Sequence, residues 1–350
     1  MRMTRRKPGN ILAAATILAL FLLGPVSAVP LAAQVNIPAK TWGVSFGNSK
    51  IFTGLRFNFR DDGVQRITGV NITLWQPAKT DKEAVVTGLS FGLGPGGGRL
   101  RGVQLGLIGA GADVSMKGLN IGGVGIGAGD DLIGINLGGV GAGAGKNVKG
   151  LTIGGLGAGA GENLVGIALG GLGVGAGENA MGLLAGGLGA GAGGSVTGAI
   201  IGGLGGGVGE NMTGLLVGGL GGGCGGNLNG VALAGIGVGA GETINGIVLC
   251  GVGAGAPRVR GLAVCGIGVG GQDLRGIFLA GGMVRVVKNG RLSGLAASAF
   301  NFCQGPVKGL CLGIVNYAWS IEKGLQVGLV NIVRDNPKGL RVLPVFNTRF

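Results

Sequence analysis

The chain has no histidine, one tyrosine, and only 28 basic and 14 acidic groups in 350 residues. Without histidine there is no imidazole general base, no histidine-dependent triad and no histidine-metal site. Aromatic residues make up 4% of the chain, too few for the stacking platforms that hold unpaired bases, and no recognisable nucleic-acid module is present, so nucleic acid is not an expected partner. Low charge does not mean disorder here, because the mean hydropathy is +0.55 and disordered chains are poor in apolar residues. Glycine is abundant, at 88 residues, but follows no three-residue period, which excludes collagen.

Other chemistry is missing for more local reasons. Strings such as Gly123-Val124-Gly125 lack the strand-loop-helix setting and the downstream acidic residue of a dinucleotide site. Gly145-Lys146 is followed by Asn147 rather than Ser or Thr, which excludes a phosphate loop. In the phrase GGLGxG, the position that carries the calcium-binding Asp in β-rolls is held by Gly143, Gly159, Gly175 and Gly191, so carboxylate ligands are absent. Stacking could bring Glu162 beside Glu178, and the expected result is repulsion at a solvated corner rather than a paired-carboxylate site. No catalytic residue, cofactor or metal is expected, and the chain reads as non-enzymatic.

What is present is one phrase said repeatedly. Residues 161 to 176 read GENLVGIALGGLGVGA and residues 177 to 192 read GENAMGLLAGGLGAGA. An anchor glycine marks each copy at one constant interval, at 102, 118, 134, 150, 166, 182, 198, 214, 230 and 246. After Gly246 the anchors fall at 261, 276, 294, 309, 324 and 339. A fixed period of this kind is the mark of a repeat architecture. Helix is excluded by cost, at about 1 kcal/mol for each interior glycine. The slots Leu164, Ile167, Leu169, Leu172, Val174 and Ala176 recur in kind as Leu228, Val231, Leu233, Ile236, Val238 and Ala240, and their two-residue spacing is that of strands. These apolar slots are expected to form the interior. Gly-Glu-Asn at 161–163, 177–179 and 209–211 is turn chemistry, which puts a polar corner in each copy.

Two all-β folds satisfy this pattern. The first is a parallel β-solenoid of 15–16-residue Gly-rich coils, in which identical positions stack. The second is an up-and-down outer-membrane β-barrel, which requires tilt and a fixed stagger. An invariant spacing accumulates no stagger, so the solenoid is the expectation, as a rod about 80 Å long at ~4.8 Å per coil. The closing residues RVLPVFNTRF, an alternating strand that ends in Phe350, favour the barrel.

Residues 1–28 read as a secretory signal peptide, with a basic start, an apolar stretch from Ile11 to Leu23 and Val26-Ser27-Ala28 as the cleavage site; a second cut after Ala33 also fits. Residues 29–101 are expected to be degenerate capping repeats, 102–256 the 16-residue array, and 257–350 the 15-residue repeats with a closing strand. Charge is uneven across these segments. Residues 118–256 hold two basic and six acidic groups, whereas 257–350 hold twelve and three. Asn301, Asn316 and Asn331 recur at the interval of these C-terminal repeats and would form either an amide ladder or three unrelated turns. Five cysteines leave at least one thiol unpaired. Cys224 fills a small-hydrophobe slot, and the spacing of Cys250 and Cys265 permits a disulfide between neighbouring coils.

The phrases GVQLGLIG (102–109), GLCLGIVN (309–316) and GLQVGLVN (324–331), with the ending DNPKGLRVLPVFNTRF, resemble the bacterial surface-repeat-containing envelope proteins built of Gly-Leu-Gln-x-Gly-Leu-x-Asn repeats. The likeness spans about 88–350. It implies an exported protein at the cell surface, in the outer membrane or outside the cell, and it supplies no catalytic residues. The resulting expectation is a structural or surface repeat protein, suited to adhesion or matrix association, with envelope polysaccharide or a lipid surface as partner. The barrel reading would instead make it an outer-membrane pore.

Overall fold

The computed structural model describes residues 34–350, so the expected signal peptide and both candidate cleavage sites lie outside the described residues. The described residues form a single parallel β-solenoid without helices. Each core coil has a long arm, for example Leu164–Gly170, and a short arm, Gly173–Ala176. Each arm pairs in parallel with its counterpart one repeat away. Gly166 faces Gly182, and Val174 faces Ala190. Among the described residues no closed wall of alternating strands exists, and the barrel architecture is thereby excluded.

The stack is organised by the anchor glycines. Nineteen of them, from Gly43 to Gly324, lie at positive φ in one continuous register. Gly166 shows why no other residue serves. Its φ is +121°, and a Cβ there would lie 2.2 Å from the carbonyl oxygen of Gly150. At each anchor the strand backbone is pressed onto the coil before, in a conformation and at a distance that only glycine permits. The rod is about 86 Å long at ~4.8 Å per coil. Gly339 is not part of the column. The chain turns back before it, and Val342–Asn347 pairs antiparallel with the last coil. The terminal strand that favoured a barrel is therefore the lid of the solenoid. Val35–Pro38, antiparallel to Trp42–Phe46, closes the other end.

Which side chains point inward differs from the expectation. Leu164, Ala168, Val174 and Ala176 are buried, whereas Ile167 is 44% and Leu172 48% exposed. Leu169, at the same parity as Ile167, also points outward and is half-buried. The same holds further along the stack, where Leu228, Val238 and Ala240 lie inside and Ile236 is exposed, with Val231 and Leu233 half-buried on the outer side. In these central coils both faces of the long arm are apolar, so a two-residue period marks a strand but cannot tell its inner side from its outer.

Polar groups inside the rod are organised as ladders. The three asparagines do form one: the Asn301 amide donates to Asn316 Oδ1 at 2.7 Å, and Asn316 donates to Asn331 Oδ1 at 2.8 Å. A second ladder links Asn120, Asn136 and Thr152. Nearer the N-terminus a buried Arg56 guanidinium donates to Asp61 Oδ1 at 2.5 Å, and the same carboxylate accepts from Asn71 and Thr73.

Candidate functional surface

The outer side of the long arm has an unusual composition. One residue after each anchor, the column runs Val44, Leu55, Val70 and onward to Leu325. Three residues after each anchor it runs Phe46, Phe57, Ile72 and onward to Val327. In all nineteen coils both outward positions are aliphatic or aromatic. The buried position between them is Ser45, Arg56, Asn71, Ser90, Gln104, Asn120, Asn136 and Thr152 over the first eight coils. Across these three positions the strand is thus polar inside and apolar outside, the reverse of a strand that faces water, while from the second of these coils on the inward position two residues before the anchor stays apolar, as at Phe52, Ile67 and Leu100.

A third apolar column borders this face at the corner between the arms. Val124, Leu156, Leu188, Leu220, Val252 and the members between them stack through backbone hydrogen bonds, such as Leu188 N–H to the Leu172 carbonyl at 2.8 Å. They are about half exposed; Leu188 is 49%. With a length of about 86 Å and a width of roughly 10–12 Å, the combined face covers on the order of 900 Å². The largest apolar patch on a typical monomer is about 300–600 Å².

The other margin, one residue before each anchor, is cationic or neutral along its whole length. It carries Arg101, Lys117 and Lys149 towards one end and Arg260, Arg275, Lys308 and Lys323 towards the other, with no acidic residue anywhere in the column. All seven cations are exposed. At the C-terminal end an open cleft of about 660 Å³ lies between Arg275, Arg291, Lys308 and Glu322. The longer step from Gly276 to Gly294 produces it, because the extra residues around Asn289 bulge away from the register.

The outer side of the short arm carries two glycine columns, among them Gly173 and Gly175. Unlike the anchors, some of these have room for a side chain: a Cβ at Gly175 would meet nothing nearer than 4.0 Å, and one at Gly207 nothing within 4 Å, whereas one at Gly191 would lie 2.3 Å from the Gly207 carbonyl oxygen. Beyond Gly270 the same two columns hold Met283 and Arg285, then Phe300 and Phe302, then Val315 and Tyr317. Phe302 stacks on Tyr317 at 4.8 Å.

Among the described residues no group of three His, Cys, Asp or Glu side chains is placed to hold a metal ion. A second cavity, of about 570 Å³, is lined by Trp75, Pro77, Leu93 and glycines, with Asp113 its one ionisable group. Glu162 and Glu178 stack as neighbours, with the Glu178 N–H donating to the Glu162 carbonyl, and Glu178 is exposed. Lys146 is ion-paired to Asp130 in the preceding coil at 2.9 Å, a hydrogen bond that raises its pKa.

The cysteines fall into three groups. Cys224 is buried in its small-hydrophobe slot. Cys250 and Cys265 are register partners on adjacent coils and are present as thiols. Burial, reinforced by a hydrogen bond with Cys250, pushes the Cys265 thiol up to about 12. Cys303 and Cys311 also touch; their hydrogen bond and burial hold the Cys303 thiol well above its ordinary value. This second pair was hidden in the sequence because the two residues occupy different slots, one on each arm. Comparison of the chain with protein-family models, curated proteins and solved structures found no match.

Proposed function

We propose that this chain is an exported, non-enzymatic structural repeat protein of the bacterial cell envelope, which works by presenting long uniform faces to an envelope surface. The observation that carries this reading is the pair of outward columns that stay apolar through nineteen coils. A catalytic site needs different side chains converging at one place, whereas this outer surface repeats the same side-chain class at every level. Extended repeat surfaces of that kind suit adhesion or matrix association. The resemblance to surface-repeat proteins supports an envelope location, as do the basic start and the apolar stretch of residues 1–28. Envelope polysaccharide and lipid are the two candidate surfaces. A pore is not part of the reading, because it depended on a closed barrel.

Fractionation of cells that produce the full chain provides the test. The protein should sediment with envelope material, with a mature N-terminus at Val29 or Gln34. Recovery from the cytosol with an uncut N-terminus would defeat the proposal.

A further inference from the structure

The structure assigns the aliphatic side of the long arms to the surface of an anionic lipid bilayer, with the rod lying along the membrane. This rests on the reading of the chain as an envelope rod and names its partner. Three observations on this one face support it. The outward columns from Val44 to Leu325 and from Phe46 to Val327 contain no polar residue, and over the first eight coils the residue between them is polar and buried. That apolar-out, polar-in alternation is how β-strands meet lipid. The face is larger than the apolar patches of ordinary soluble monomers. Finally, its basic margin complements anionic headgroups.

Charge also decides against the other occupants. Face to face, a second copy would bring more aliphatic side chains and a margin column with no carboxylate of its own; the acids beside it are Asp273, already paired with Arg275 and Arg291, and Glu322. A polysaccharide would meet columns with no side-chain hydrogen-bond donor or acceptor. An anionic bilayer offers both things the face lacks: an apolar layer for the two columns and phosphate for the lysines and arginines, which reach the interface on long side chains. The cleft beside that margin is not part of the contact, because Glu322 lines it with Lys308 and its two arginines, Arg275 and Arg291, are already paired to Asp273. Among the described residues no helix is long and apolar enough to cross a membrane, and the proposed contact is one face lying on the bilayer.

The experiment measures co-sedimentation of the full mature chain with vesicles of phosphatidylcholine alone and with vesicles containing one quarter phosphatidylglycerol. Binding to both is expected, tighter on the anionic vesicles and weakened by salt. Ile135→Glu, Ile167→Glu and Ile247→Glu together should abolish it while leaving the circular dichroism spectrum unchanged, because all three side chains are already exposed to solvent by 41–47%. Arg260→Gln, Lys308→Gln and Lys323→Gln should each reduce anionic binding by about fivefold and leave phosphatidylcholine binding alone. Inorganic phosphate at millimolar concentration should not compete, which separates a bilayer from a free anion. Three results would overturn the assignment: no vesicle binding by a folded chain, undiminished binding by the triple Glu variant, or a soluble dimer that the same substitutions dissociate. Binding to purified envelope polysaccharide but not to vesicles would reject the lipid and leave the envelope-rod reading standing. Recovery from the cytosol would reject that reading itself.

Discussion

Gly166 and Gly175 belong to one coil, yet an alanine at each should move stability in opposite directions. At Gly166 an alanine Cβ would sit 2.2 Å from one backbone oxygen and 2.9 Å from its carbon, at φ +121°. The conformation alone costs a non-glycine residue about 1–3 kcal/mol. Relieving the overlap by separating coils adds about 1–3 kcal/mol of overpacking strain, so Gly166→Ala should destabilise its neighbourhood by roughly 2–6 kcal/mol. At Gly175 the Cβ would have 4.0 Å of clearance, and Gly175→Ala should stabilise by about 0.5–1 kcal/mol through reduced freedom of the unfolded chain. A stacked array need not unfold in one step, so the assay is native-state hydrogen exchange of the amides between Gly150 and Gly191, with guanidinium titration for the whole chain. Protection should fall around Gly166→Ala and rise around Gly175→Ala. A Gly166→Ala protein that differs from the parent by no more than an ordinary surface substitution, about 0.5 kcal/mol, would refute the division of glycines into those the stack requires and those it does not. So would a Gly175→Ala protein less stable than the parent.

Asn316→Ala should cost about 2–4 kcal/mol, because it removes the acceptor of Asn301 and the donor to Asn331 in the buried ladder; thermal melts of the variant beside Asn316→Gln would show whether an amide at that level can restore it. Asp61→Ala leaves the buried Arg56 guanidinium without its anion and should lose about 3–5 kcal/mol, visible as proteolytic nicking confined to the N-terminal coils. The raised thiol of Cys265 implies a pH effect of definite sign. The folded state keeps its proton while the unfolded thiol ionises, so this contribution to stability is complete below pH 9.0 and is lost as pH rises towards about 12; denaturation curves across that range should show a shallower decline for Cys265→Ala. After exposure to an oxidant, peptide mapping without reduction should recover Cys250 linked to Cys265; if both were still alkylated as thiols, the bridge would be ruled out.

The parallel stack was legible in the sequence because the period is strict and glycine at the anchor admits no substitute. The asparagine ladder was legible only as a choice, since a regular spacing fits either a stack or a set of turns until register is known. The sidedness of the long arm was not legible. Ile167 and Ala168 are both apolar, and nothing local says that the larger one faces out. One signal was available in the N-terminal coils: Arg56, Asn71 and Gln104 sit between apolar neighbours. A residue such as Arg56 reads as a surface group until its partner Asp61 is seen beside it. Gly339 continues the spacing yet leaves the column, because the chain reverses to seal the end.

The column of anchor glycines makes length a free variable in this molecule. The step from Gly150 to Gly166 in the centre, the shorter one from Gly261 to Gly276 and the longer one from Gly276 to Gly294 all end with one anchor resting on its neighbour in the same way. Surplus residues leave the wall as a bulge, and the floor below is undisturbed. Whole storeys could therefore be added or deleted by duplication in the interior of the gene without altering any joint. The two end strands, Val35–Pro38 and Val342–Asn347, run against the grain and must stay where they are. Growth of such a rod is confined to its middle, and its reach can be adjusted in steps of one strand spacing.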